Sequence, residues 1–381
     1  MSRQPEPHCA APAASFPPSK VFHNKFEIRF TEVIRLNPTI YDIAREAGVS
    51  IATVSRVFND SNCVTQKTRE KVLAVANDLG YHPRALAQSL ARKKTRIITV
   101  IVPVISNYFF MEVLAGMQDK IAEYDYDLQI FNVKVADNIL SQADHIMKRG
   151  WGEGYIVISI HLEDSEWKLL HKYNVPLVLI DEYYSGFDTV SVDSIEGAYT
   201  ATTHLIEQGY RSIGMICAKL DSKPIVDRVF GYQRALEDAG IMVDSDMIVT
   251  GEDMERDGFT ESNGYEAMSK LLSLDNTPDA CFCASDIQAL GAIKAMRDHN
   301  KRIPIIGFDD LEFSEYVGLS TMRQPMYEMG ALAIEKMVER LENKDTDITH
   351  TVFSPDLIVR ASSPDYAGLS KEVKKSVPAD G

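Results

Sequence analysis

Hydrophobic spacing divides the chain into two textures. Between Tyr41 and Leu79, apolar residues recur at helical intervals and are interrupted by turn residues. Tyr41–Ala47 stops at Gly48. Ile51–Asn59 follows Ser50, whose hydroxyl can cap it. Gln66–Leu79 follows Thr65 and stops at Gly80. Three short helices are therefore predicted. In the third, Val72, Val75, Ala76 and Leu79 share one face. Pro83 permits a new start, and Arg84–Arg92 favours helix. So short a helix is marginal alone, and one that forms only when docked would act as a switch.

From Arg96 onward, apolar runs alternate with amphipathic stretches. Ile97–Val104, Leu128–Val133, Tyr155–Ile160, Leu177–Ile180, Ile213–Cys217, Ala280–Cys283 and Pro304–Phe308 read as strands. Helical patterns lie near 111–124, 137–149, 163–173, 195–208, 228–239, 261–273, 286–298 and 325–342. Continuous apolar strands separated by helices specify parallel sheets covered on both faces. The stretch is long for one such sheet, so two α/β lobes with a cleft are expected, and ligands of such sheets bind outside the carboxyl ends of strands. The fold class is thus a small all-α helix-turn-helix head plus an α/β body of two parallel-sheet lobes.

The expected domains are a disordered leader (1–37), a helix-turn-helix head (38–82), a short helix and linker (83–96), a two-lobe body (97–362) and a flexible tail (363–381). Lobe 1 takes about 97–193 and 325–352, and lobe 2 about 194–323 and 353–362. No methionine lies between Met1 and Met111, so a shorter start near Val33 or Leu36 would need a non-ATG codon.

Charge sharpens the division. The net charge is −15, yet Leu36–Arg96 holds ten Lys/Arg against five Asp/Glu. A basic module on an acidic body is the asymmetry of a protein that docks one end on nucleic acid, while the body repels DNA. Five scattered cysteines (Cys9, Cys63, Cys217, Cys281, Cys283) form no disulfide framework and point to a reducing compartment. Cys281 and Cys283 share a strand face and read as buried small hydrophobes rather than metal ligands. Residues 1–20 lack the apolar core of a secretory signal, and no apolar run approaches the ~18 residues of a membrane helix. A cytoplasmic location is expected, with no metal or cofactor. Phosphate-binding loops, dinucleotide fingerprints, His-Glu-x-x-His and Gly-x-Ser-x-Gly are all missing from the sequence, which speaks against an enzyme.

Thr39–Asn59 reads helix, glycine turn, helix, with Ile43, Ala44 and Ala47 facing Val49, Val54 and Val57. The second helix would expose Ile51, Ala52, Ser55, Arg56 and Asn59 and could enter a major groove. Arg56 is suited to guanine and Ile51 and Ala52 to apolar contact, while Ser50, Thr53 and Thr39 suit phosphates. A plain helical bundle with these residues in solvent gives the same periodicity.

Thr39–Asn59, Val64–Val72 and Leu79–Leu90 closely resemble the head of the LacI/GalR family of bacterial repressors. Weaker matches run through the body: Asn107-Tyr-Phe-Phe110, Gly258-Phe-Thr260, Ala284-Ser-Asp-Ile-Gln-Ala-Leu-Gly291, Ile306-Gly-Phe-Asp-Asp310 and Leu319–Pro325. The resemblance implies a periplasmic-binding-protein-like body. It places Ile51, Ala52 and Arg56 at base-reading positions, and Tyr41, Ser50, Thr53, Ser55 and Asn59 at positions that contact the backbone or brace the motif. It makes Arg84–Arg92, including Ala87, the hinge helix that folds on DNA, with Leu90 as a wedge in the minor groove. Ala91 stands where some purine-type members carry a basic residue.

For the effector, the resemblance places Arg228 and Asp309 at the polar pair that holds ligand hydroxyls and Phe259 at the aromatic wall. Phe109 and Phe110 fall on a loop of the first lobe and Gln324 at a lobe crossover. Ser285 replaces a common Asn; its hydroxyl reaches less far and cannot pair bidentately, so the effector would be bulkier, differently oriented or absent. The stretch His299–Ile305 is also shorter than usual for the family. The expectation is a homodimeric regulator, a repressor of a palindromic operator in double-stranded DNA, controlled by a sugar-like small molecule between the lobes. Two alternatives are a sugar-binding protein of the same fold without DNA function, and a family co-regulator controlled by a protein partner.

Overall fold

The computed structural model describes residues 38–58, 63–81, 95–103, 105, 107–134, 138–220, 222–343 and 346–363. They belong to two compact units, divided after residue 84. The expected hinge 84–92 with Ala87 and Leu90, the leader 1–37, Asn59 and the tail from 364 lie outside the described residues.

The head holds α1 (Ile40–Ala47), α2 (Ile51–Phe58) and α3 (Gln66–Asp78). Gly48 follows α1 at φ 63°, a left-handed conformation that glycine takes without steric cost, and so turns the chain into α2. Ser50 Oγ accepts from the Thr53 amide at 3.1 Å, and Thr65 Oγ1 from the Thr68 amide at 3.4 Å, so both expected caps form. Ile43, Ala44, Ala47, Val54, Val57, Val72 and Ala76 make one buried cluster. Arg69 Nη1 donates to the Val57 carbonyl at 3.3 Å, tying α3 to α2. One expected core residue is misplaced: Leu79 is 38% exposed, because α3 ends at Asp78 and the chain turns away.

The body opens with β1 (Ile97–Val102), α4 (Tyr108–Ile121), β2 (Asp127–Asn132), α5 (Ile139–Arg149), β3 (Gly154–Ile158), α6 (Asp164–His171), β4 (Leu177–Ile180) and β5 (Asp188–Val192). It continues with α7 (Ser194–Glu207), β6 (Ile213–Cys217), α8 (Lys223–Asp238), β7 (Ile248–Thr250), α9 (Glu261–Leu272), β8 (Ala280–Cys283), α10 (Asp286–Asp298), β9 (Ile305–Asp309), α11 (Glu312–Val317) and β10 (Ser320–Arg323). It closes with α12 (Met326–Glu342), β11 (His350–Phe353) and β12 (Asp356–Ile358). One sheet runs β2-β1-β3-β4-β5-β11 and the other β7-β6-β8-β9-β10-β12. All pairs are parallel except β10 with β12. In each sheet the strand order reverses beside its first strand, β1 or β6, and the chain passes between sheets after β5, β10 and β11.

The buried strands match their apolar runs, and Cys281 and Cys283 are buried as expected. Strands β5, β7, β10, β11 and β12 were not foreseen: they are three to five residues long and carry Asp, Thr, Ser or His where an apolar run was sought. Helix α8 begins at Lys223, a turn and a half before expectation, with Pro224 in its first turn. Ser363, assigned to the tail, is buried, its carbonyl 3.1 Å from His204 Nε2. The short connection before β9 still delivers Ile305 opposite Cys281.

Glycines let the covering helices touch backbone to backbone. A Cβ on Gly116 of α4 would lie 1.9 Å from the Tyr327 carbonyl oxygen of α12, and one on Gly330 of α12 would lie 2.0 Å from that of Val113. Gly264 and Gly291 do the same for α9 and α10, at 2.0 Å from Gln288 O and 1.9 Å from Glu261 O. Overpacking of this kind costs roughly 1–3 kcal/mol or more. Gly264→Ala is expected to destabilise the body by that amount, read as a lower urea midpoint. An unchanged midpoint would show that these helices can part freely.

Candidate functional site

The head presents α2 as its exposed edge. Ile51 is 42% exposed, Ala52 and Arg56 are exposed, and Tyr41 is 66% exposed nearby. Ser55 is half-buried instead of fully outward. Thr39, Ser50 and Thr53, expected to meet phosphates, already serve the fold. Thr39 Oγ1 donates to Asp42 Oδ2 at 2.7 Å in a capping box, and Ser50 Oγ lies 2.9 Å from Thr53 Oγ1. Thr39 thus caps α1 and Ser50 caps α2, whose outer face carries Ile51, Ala52 and Arg56.

In the body, a cavity of about 570 Å³ is lined by all seven expected effector residues: Phe109, Phe110, Arg228, Phe259, Ser285, Asp309 and Gln324. Both sheets aim their carboxyl ends at it. Pro103 follows β1, Ser159 and His161 follow β3, and Asp181 follows β4; Lys219 follows β6, Ser285 follows β8 and Gln324 follows β10. These ends flank the points where the strand order reverses, where open α/β sheets bind ligands. Two expected positions differ in kind. Phe109 and Phe110 stand in the first turn of α4 rather than on a loop, with Phe110 buried in the lobe core. Arg228 sits in the second turn of α8.

Arg228 is 4% exposed. Its Nη1 donates to the Ala284 carbonyl at 2.5 Å, and its guanidinium carbon lies 3.8 Å from the Phe308 ring centroid. Its Nε is buried with no hydrogen-bond partner. Burial pulls the Arg228 pKa down, opposed by Asp309 and Asp181. Asp309 accepts from Gln324 Nε2 at 2.6 Å. Burial pushes its carboxyl above the usual range, against the pull of Arg228 and Gln324. Ser285 caps α10: its Oγ accepts from the Gln288 amide at 3.3 Å and lies 3.2 Å from Gln288 Oε1. The hydroxyl is thus held as a helix cap at the cavity wall.

Sequence reading missed several lining residues. Ser159 Oγ donates to Asp181 Oδ2 at 2.8 Å, and His161 Nδ1 lies 2.8 Å from Glu182 Oε2. Ser159, Asp181 and Asp309 have φ of 46°, 58° and 125°, and Arg256 and Asp257 have 52° and 57°. Five of the nine described non-glycine residues with positive φ therefore line this cavity. Strained backbone of that kind gathers at functional sites, and the strand-end rule would have flagged the first three positions. Asp286 was also missed. It is fully buried and accepts from Leu311 N at 2.9 Å, Ser314 Oγ at 2.5 Å and Thr321 Oγ1 at 2.6 Å, so it pins β10 and the segment after β9 to α10 beside Asp309.

Residues 39–84 match the family model described as bacterial regulatory proteins, lacI family, and residues 202–363 match a periplasmic binding protein-like domain. The chain is 34% identical over 334 residues to the HTH-type transcriptional regulator RegA of Clostridium saccharobutylicum, covering 85% of this chain and 99% of that one. The chain belongs to the LacI family. It is 37% identical over 324 residues to catabolite control protein A of Priestia megaterium, covering 82% and 94% of the two chains. Among solved structures, a complex of the transcriptional regulator CelR with cellobiose is 27% identical, with a TM-score of 0.64 over 86% of this chain and all of that one. The Lac repressor dimer bound to operator and an anti-inducer shares the fold, at 23% identity and a TM-score of 0.76 over 87% of this chain and all of that one. As a LacI-family member the chain is a DNA-binding transcriptional regulator and not an enzyme.

The cavity charges give its stability a sign. Burial raises Asp309 in the folded state. Its contribution is therefore full below the ordinary carboxylate pKa of about 4 and is lost as pH rises through the higher folded value. Ligand-free protein is expected to lose melting temperature as pH rises from about 4 to about 6, and Asp309→Asn to flatten that slope. An equal slope in the variant would remove Asp309 as a source of the dependence.

Proposed function

We propose that this LacI-family regulator is a cytoplasmic repressor that binds a palindromic operator as a homodimer. A small polyhydroxyl effector, of the sugar class, binds between the two sheets and changes its grip on DNA. The observation that carries this reading is the convergence of Arg228, Asp309, Gln324 and Phe259 on one cavity at the carboxyl ends of both sheets. A buried guanidinium with a spare donor and a buried carboxylate can pair with vicinal hydroxyls, and an aromatic face suits the C–H side of a ring. The named relatives are regulators, and one solved neighbour is a cellobiose complex.

In the head, Ile51, Ala52 and Arg56 read base edges in the major groove, while Tyr41, Ser55 and Asn59 brace or contact the backbone. Ser50 and Thr53 hold the start of the reading helix, Thr39 caps the helix before it, and all three add phosphate contacts. The segment 84–92, with Ala87 and Leu90, forms a hinge helix on DNA, and Leu90 wedges the central base step. The effector shifts the regulator between DNA-competent and released states only by its difference in affinity for the two.

Selection of duplexes from a random pool by the full-length protein, at two salt concentrations, tests this. A palindrome of about 14–20 bp with a central pyrimidine–purine step and a steep salt slope is expected. Arg56→Ala should weaken the selected site by about 5–150-fold, the weight of one bidentate guanine contact of ~1–3 kcal/mol, and leave non-specific binding nearly intact. Recovery of no motif, or of a motif indifferent to Arg56, would overturn the reading.

A further inference from the structure

The cavity's first-lobe wall carries a pair that the effector contacts above do not use. His161 and Glu182 stand 21 residues apart, after β3 and β4, with Nδ1 and Oε2 at 2.8 Å. The Glu182 side chain is 8% exposed, and its other oxygen accepts from the Tyr183 amide at 2.7 Å. A buried carboxylate is costly unless it is paired and hydrogen-bonded; here both oxygens are held. His161 keeps 31% of its side-chain surface accessible and lines the cavity. A carboxylate can only accept, so Nδ1 carries the proton, leaving Nε2 as the nitrogen without a protein partner among the described residues.

The charges around His161 restrict what Nε2 can meet. Glu182 and Asp181 lie on its own wall, and Asp257 lies on the opposite one. Burial would pull the imidazole pKa down, but the Glu182 hydrogen bond and these three carboxylates hold it above the ordinary value. Lys219, Arg228 and Arg256 line the same cavity, so the ring faces groups of both signs. A hydroxyl suits both states of the ring: it donates to Nε2 when the ring is neutral and accepts from Nε2–H when it is charged. The Arg228–Asp309 floor has its own hydrogen bonds, to Ala284 and Gln324, and Asp181 stands within electrostatic reach of both it and His161. The volume, about 570 Å³, lies within the ~300–1,000 Å³ of sites that enclose drug-sized ligands; one sugar ring would leave much of it to water.

We propose that His161, positioned by Glu182, is a second binding subsite that reads a hydroxyl on the distal ring of a neutral disaccharide whose first ring occupies the Arg228–Asp309 floor. The inference rests on the effector reading above. Asp181, hydrogen-bonded to Ser159, borders the new subsite.

Calorimetric titration of the full-length protein tests it, with cellobiose, lactose, maltose and sucrose as neutral disaccharides, and glucose, ribose, glucosamine and glucose 6-phosphate for comparison. At least one disaccharide is expected to bind about tenfold or more tighter than any single-ring compound, the weight of one charge-assisted hydrogen bond. His161→Ala should erase that margin and leave single-ring affinity within about threefold of wild type, again less than one such bond. Arg228→Ala should lose every compound. Glu182→Gln should lower the His161 pKa, followed by its ring-proton NMR signal, and move the pH profile of disaccharide affinity the same way.

A disaccharide that binds His161→Ala as tightly as wild type, but not Arg228→Ala, would overturn the second subsite and leave the effector cavity standing. So would a preference for glucose 6-phosphate or glucosamine, or an unmoved His161 titration in Glu182→Gln. Binding of none of the compounds would overturn both.

Discussion

A set of polar side chains buried where two parallel sheets point at one another is the constraint on which the body depends. Arg228, Asp286 and Asp309 are almost wholly out of water, and each is held by groups from distant parts of the chain. Asp286 accepts from residues 25 to 35 positions away. Asp310, next to Asp309, is gripped by Arg323 at 2.7 Å and Arg360 at 2.8 Å. Breaking one member of such a set leaves a buried polar group without its partner. The set therefore fixes the register of the strand ends that carry the cavity, although an apolar core would have made a more economical fold.

How far this was legible in the sequence follows from how local each signal is. Helices of the head announce themselves through caps at Ser50 and Thr65 and a turn at Gly48, all within a few residues of what they control. The wholly buried strands show as apolar runs. Short strands such as Asp188–Val192 and His350–Phe353 do not, because partner strands and packing hold them rather than composition. All seven expected cavity residues came from matching motifs, and the structure brings them to one cavity. Asp286, Ser159 and the His161–Glu182 pair stayed hidden because their partners lie 21 to 35 residues away, and nothing in local sequence marks a carboxylate that will be buried. Ser285 was marked as a departure from a common Asn, while its use as the cap of α10 emerged only from the fold.

The topology also explains why occupancy of the cavity matters to the whole body. The chain passes between its two sheets three times, so the sheets can change their relation only through those crossings. Gln324, which holds Asp309, lies on the second of them, between β10 and α12. A ligand touching Phe109 on one wall and Arg228 on the other bridges both sheets. Its binding energy then differs between arrangements of the two, which is the only way it can shift their balance.

The central claim is that the cavity and the DNA-reading head are linked energetically. The most direct measurement is a pair of affinities in the full-length protein: operator with and without saturating disaccharide, and disaccharide with and without saturating operator. Linkage requires the two ratios to be equal, and the account predicts a common factor of about 5–150, which is ~1–3 kcal/mol of coupling. Ratios of one in both directions would contradict it, leaving a DNA-binding head and a sugar-binding body that do not speak to each other.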